Sequence, residues 1–197
     1  MGVSLAACAR SGTTGSPPVE PEPSHGTTAT GGAEFGLPKD PEATIKASGL
    51  PEISAEARVK EPPKVLGRAH LDVSVNTQPV TVPAQIGFTK TGSSLLHTTD
   101  ASGIIVFEAE QSDEKPETFT IGQFFTQWGV KLDKNCLATY CTNDQNQMLG
   151  YLNGQLVPDP SSIPITDKAQ IEIWYGPKTV NPKPAAAHDF ASRPAPT

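Results

Sequence analysis

The segment TFTIGQFFTQWG, residues 118–129, constrains the fold more than any other stretch of the chain. Thr120, followed three residues later by Gln123, fits a helix-opening capping box. Ile121, Phe124, Phe125 and Trp128 recur at i, i+3, i+4 and i+7, so one helical face is apolar. Gly129 stands where a left-handed C-terminal cap is wanted. Burying two Phe and a Trp contributes several kcal/mol at about 25 cal/mol per Å². The spacing therefore predicts one helix that is stable only against a second layer.

The flanking sequence supplies that layer as strands. In AHLDVSVN, residues 69–76, Leu71, Val73 and Val75 alternate with His70, Asp72 and Ser74, the period of a half-buried strand. After a turn at Asn76-Thr77, QPVTVPAQIGF reads as its hairpin partner; Pro79 and Pro83 put that partner at an edge. TKTGSSLLHTTDASG is a polar loop and IIVFEAE a third strand. Beyond the helix, QMLGYLNGQLV is a hairpin turning at Asn153-Gly154. The last strand lies in SSIPITDKAQIEIWYG, with Ile171, Ile173 and Tyr175 on one face. The order hairpin, strand, helix, hairpin, strand predicts an α+β fold: a small mixed sheet with one packed helix, β-grasp-like. A small β-sandwich with one helix is the alternative.

Apolar residues are unevenly distributed, and this predicts the domain organisation. Only 36% of the 197 residues are hydrophobic, the chain holds 20 Pro and 17 Gly, and the first sixty-odd and last twenty residues are poor in Val, Ile, Leu and aromatics. Residues 9–65 are expected to form a disordered Pro/Gly/Ser-rich tether, in which at most a short element forms in ATIKASGLPEISAEARVK. The globular β-rich domain is expected over 66–177 and a disordered C-terminal tail over 178–197. The net charge of −6, with no basic run, argues against a nucleic-acid surface. No apolar run reaches the length of a membrane-spanning helix.

There are three cysteines, Cys8, Cys136 and Cys141. LAAC at residues 5–8 resembles the lipobox of bacterial lipoproteins. That resemblance implies cleavage before Cys8, a diacylglycerol on its sulfur and a membrane anchor, with residues 1–8 as the end of a signal peptide. Only seven residues precede Cys8 and none is basic, so an exporting segment is expected to begin upstream of Met1. Setting Cys8 aside leaves an even pair in CLATYC, expected to close a disulfide between Cys136 and Cys141 in an oxidising compartment. The Cys-x₄-Cys spacing, with no second pair, argues against a zinc site.

LLHTTDASGIIVFE, residues 95–108, is the one loop with the residue types of a site. His97 and Asp100 are candidate metal or ligand residues, joined by His70 or Glu108 if the strands pair suitably. The competing reading is a polar turn in which Asp100, Ser102 and Gly103 bond locally and His97 lies partly buried beside it. A hydrolase using His97, Asp100 and Ser102 is the weakest possibility, since no Gly-x-Ser-x-Gly elbow is present.

The stretch from His70 to Gly176 resembles a family of secreted or lipid-anchored proteins of bacteria and archaea. The matching segments are HLDVSVNTQPVTVPAQIGF, LLHTTDASGIIVFE, FTIGQFFTQWG, YLNGQLV and IPITDKAQIEIWYG. The family's loop typically reads His-Thr-His-Asp-x-Ser-Gly-Ile-Ile-His, and its helix Phe-Thr-Leu-Gly-Gln-Phe-Phe. This chain keeps His97, Asp100, Ser102 and Gly103 but has Thr99 and Val106 at the two other histidine positions. The resemblance implies a secreted β-rich domain without an established activity, and loss here of most of any metal site those histidines form. The expectation is an extracytoplasmic lipoprotein, anchored through Cys8, whose domain binds an envelope ligand or protein without catalysis. No cofactor is expected. A divalent metal held through His97 and Asp100 is the alternative.

Overall fold

A computed structural model describes residues 1–2, 33–112 and 118–191. Cys8 and most of the N-terminal tether lie outside the described residues. In chain order the elements are α1 (Pro41–Ser48), β1 (Glu52–Ser54), α2 (Ala55–Lys60), β2 (Lys64–Val75), β3 (Gln78–Val80), β4 (Gly92–Ser94), β5 (Leu96–His97) and β6 (Ile104–Ala109). They continue with α3 (Ile121–Trp128), β7 (Cys136–Leu137), β8 (Tyr140–Cys141), β9 (Asn146–Leu152), β10 (Gln155–Val157) and β11 (Gln170–Pro177). Short 3₁₀ turns occupy Ala33–Phe35 and Pro160–Ser162. No described helix is long and apolar enough to cross a membrane.

The fold is α+β. The main sheet runs β10-β9-β11-β2-β6-β5, with β3 also paired to β2. Its two central strands, β2 and β11, are parallel, and every other pairing is antiparallel. A hairpin lies to each side of the central pair and α3 packs into the core between them in sequence, which is the β-grasp arrangement. Both expected hairpin turns form. Asn76 and Thr77 have φ of 50° and 67°, and Asn153 and Gly154 have φ of 50° and 78°, the left-handed pairs that match strand twist.

The sheet has two unlike faces. Ala69, Leu71 and Val73 of β2, Ile105 and Phe107 of β6, Met148 of β9, and Ile171, Ile173 and Tyr175 of β11 belong to one core with Phe124, Phe125 and Trp128 of α3. The capping box predicted for α3 is present: Thr120 accepts from the Gln123 N–H at 3.3 Å, and Gln123 Oε1 accepts from the Thr120 N–H at 2.9 Å. Gly129 closes the helix at φ 76°. The alternate residues, Arg68, His70, Asp72, Val106, Tyr151, Gln170, Glu172 and Trp174, share the second face, as the strand register requires.

The expected domain boundaries are too narrow. Residues 33–65, assigned to the tether, fold onto the domain. Asp40 caps α1 by accepting from the Ala43 N–H at 2.9 Å, Pro41 starts it, and Gly49 ends it at φ 76°. Phe35, Ile45 and Leu50 are buried in the core, and the Trp128 indole donates to the carbonyls of Phe35 and Gly36 at 3.3 and 3.1 Å. Three apolar anchors spread over sixteen residues make no periodic pattern, so composition alone conceals them. The tail is corrected likewise: residues 178–191 have no helix or strand, yet they pack on the second face of the sheet. The expected second strand over 78–88 shrinks to β3, and the polar loop 89–103 contains β4 and β5.

Candidate functional site

The four candidate residues do not converge; they divide between two clusters and a turn. His97, on β5, lies opposite Val106 of β6, which brings it beside Glu108. His97 Nδ1 is 4.0 Å from Glu108 Oε2 and 3.2 Å from the Ser94 carbonyl. A carbonyl only accepts, so Nδ1 carries the proton and Nε2 is the acceptor nitrogen. Arg58, from α2, donates to Glu108 at 2.7 Å and to the Ser94 carbonyl at 2.9 Å. Ser94 thus joins three elements: its hydroxyl also accepts from Gln127 of α3 at 2.8 Å. Gln127 is fully buried and donates further to Ser48 of α1 at 3.3 Å. The network knits α1, α2, β4, β6 and α3 through the interior. Burial holds the His97 pKa below its ordinary value, against the partly compensating Glu108 carboxylate and Ser94 carbonyl; the Arg58 charge adds to the lowering. The guanidinium also occupies the neighbourhood in which a cation would meet Glu108.

Asp100 is a turn residue. It accepts from the Ser102 N–H at 2.9 Å and from the Ser102 hydroxyl, the Asx geometry of the competing reading. These bonds, the hydroxyl's first, hold its carboxyl below the usual range. Among the described residues, neither Asp100 nor Ser102 is hydrogen-bonded to His97.

His70 stands on the second sheet face in a different cluster. Its Nε2 lies 3.1 Å from the Ser102 carbonyl and so carries the proton; Nδ1 lies 3.0 Å from the Gln170 amide nitrogen and 3.4 Å from Asp72 Oδ2. Gln170 also donates to Asp72 at 2.7 Å. Burial works against the charged imidazole. The hydrogen bond and charge of Asp72, with the Ser102 carbonyl and Gln170, outweigh it and raise the His70 pKa above its ordinary value. Glu172 follows on β11, directly opposite Asp72. Its carboxyl is raised by burial and by the Asp72 charge, against the N–H of Ala185 that it accepts at 2.8 Å. Two carboxylates facing each other across a parallel pair are unfavourable, and the arrangement persists because the tail and Gln170 engage them.

The sequence reading missed Arg58, Ser94, Gln127, Asp72, Gln170, Glu172 and His188. Asp72 and Glu172 were legible as outward positions of strands; Arg58, Ser94, Gln127 and Gln170 come together through contacts 33 to 100 residues apart, and His188 reaches His70 from the far end of the chain, which no local spacing reveals. Among the described residues no group of three or more His, Cys, Asp or Glu side chains is arranged to hold a metal ion. Cys136 and Cys141 face each other across the β7–β8 pair, a placement compatible with a disulfide bond. Comparison with family profiles, with curated proteins and with solved structures returns no match.

Proposed function

We propose that this chain is an extracytoplasmic lipoprotein, held to the membrane through Cys8, whose β-grasp-like domain binds an envelope ligand or protein rather than transforming one. The observation that carries the reading is the division of the cysteines. Cys136 and Cys141 sit at disulfide distance inside the folded domain, which suits an oxidising compartment and leaves Cys8 as the odd one, within Leu-Ala-Ala-Cys. The resemblance of residues 70–176 to secreted and lipid-anchored proteins points the same way. A thioether-linked diacylglycerol supplies two chains, enough for stable anchoring where one is marginal.

The test is fractionation of cells expressing the gene with its own upstream sequence. The protein is expected in the membrane fraction, with a lipid-sized mass increment on Cys8, and Cys8→Ser is expected to move it to the soluble fraction. Membrane association unchanged by Cys8→Ser contradicts the anchor. Intact mass with and without reductant is expected to differ by two hydrogens; equal masses contradict the oxidised pair.

A further inference from the structure

On the second face of the sheet, Trp174, Tyr151, Glu172 and Gln170 are buried. The C-terminal segment lies over this face. Pro184 reaches the Asn153-Gly154 turn, its Cβ lying 3.9 Å from where a Gly154 side chain would begin. The Ala185 N–H donates to Glu172 Oε2 at 2.8 Å and the His188 N–H to Gln170 Oε1 at 3.0 Å. The His188 ring stacks on His70, centroids 4.3 Å apart and planes 10° from parallel, and Phe190 meets His188 edge-on at 4.9 Å. Side chains of the sheet therefore receive this segment through its backbone, as they would a peptide. Among the described residues, no backbone–backbone hydrogen bond ties residues 183–190 to the sheet.

The seating is loose. A groove of about 430 Å³ opens between the segment and the sheet, with Lys168, Gln170, His188 and Phe190 on its walls. A second, of about 260 Å³, lies on the Arg68 and Asp167 side of Phe190. The carboxylate of Glu172, kept beside that of Asp72 at an electrostatic cost, has the Ala185 N–H as its partner here.

We infer that this face is a binding surface for an extended, Pro/Ala-rich peptide segment, and that residues 183–190 occupy it in cis as a displaceable strap. The inference rests on the reading of the domain as a binding module and names the surface that does the binding. Glu172 and Gln170 accept backbone N–H groups of the incoming segment, and His70 offers its ring face to an imidazole or another flat side chain. The cis strap lowers the apparent affinity for a competitor by the fraction of time the face is free.

The probe is a fluorescently labelled peptide of residues 181–191, NPKPAAAHDFA, titrated by anisotropy into the unmodified full chain and into full-length Ala185→Pro/His188→Ala. That variant loses the N–H given to Glu172 and the ring stacked on His70, and leaves the sheet untouched. It is expected to bind the peptide at least about tenfold more tightly than the unmodified chain. Adding Glu172→Ala to it is expected to cancel the gain. His188→Ala alone, a milder change, is expected to give a gain of about threefold. Equal affinity in the unmodified and strap-weakened chains, including no binding by any of them, overturns the proposal, as does a gain that Glu172→Ala leaves intact. The assay uses purified protein and the chain's own peptide, so its failure leaves the anchoring at Cys8 standing, and failure of the anchoring leaves the strap standing.

Discussion

The two faces of the main sheet are closed by different physics. On one, α3 lays Phe124, Phe125 and Trp128 into one core with Leu71, Ile105 and Ile173, α1 packs on α3, and the layer is held by apolar area removed from water. On the other, a segment without regular structure meets the sheet through the Ala185 and His188 N–H groups, which donate to Glu172 and Gln170, and through a stacked imidazole pair. Apolar burial is spread over many contacts and is lost only when the domain unfolds. A few directional bonds at a surface can open locally while the rest stays folded. The first face accounts for the fold, and the second is where a fold of this kind has freedom to exchange one partner for another.

Substitutions that truncate each face break or sharpen that contrast. Phe124→Ala empties a fully buried site in α3 and is expected to cost about 4 kcal/mol in chemical denaturation. A loss under about 1 kcal/mol would show that the helix is not the main support of the core. Glu108→Ala leaves the Arg58 guanidinium without its carboxylate in a mostly buried setting, and about 2 kcal/mol is the expected loss in the same measurement. Thr120→Ala removes one half of the capping box, for about 1 kcal/mol.

The smallest effects concern pH, and the two clusters carry opposite signs. Burial lowers the His97 pKa, so the unfolded chain takes up that proton first. The His97 contribution to stability is complete above about pH 6.5 and is lost as pH falls from there toward the lowered folded value. The His70 pKa is raised: burial is outweighed by Asp72, the Ser102 carbonyl and Gln170. Its contribution is complete below about pH 6.5 and is lost as pH rises through the raised folded value. His97→Gln should flatten the acid limb of the stability profile and His70→Gln the alkaline limb. Titration of the two imidazole Cε1 protons by NMR should place His97 below, and His70 above, an unperturbed histidine.

The helical side of this contrast can be read from the amino-acid sequence, the strap side cannot, and the unread part has a physical pattern. The helix, its cap, the two type I′ turns and the alternation of β2 follow from residues within a few positions of each other, where sterics and local hydrogen bonds act. The parallel pairing of β2 with β11 joins residues a hundred positions apart, such as His70 and Gln170, and leaves no local trace. The anchoring of Phe35, Ile45 and Leu50 was hidden because each is a single apolar residue in a polar, Pro-containing context, and its burial depends on a pocket made elsewhere. Asp100 and Ser102 were legible as a turn, because an Asx bond spans two residues. The Arg58–Glu108–His97 cluster spans fifty residues and was legible only in its His and Glu members.

Native-state hydrogen exchange tests the unlike closure of the two faces most directly, because it reads local opening on each side of one sheet in the same sample. The amides of Ala185 and His188 are predicted to exchange through local opening, far faster than those of Phe125 in α3 and Ile173 in β11, which should exchange only with global unfolding. Matching protection at all four positions, with the same dependence on denaturant, would contradict the account and make the C-terminal segment an integral part of the core.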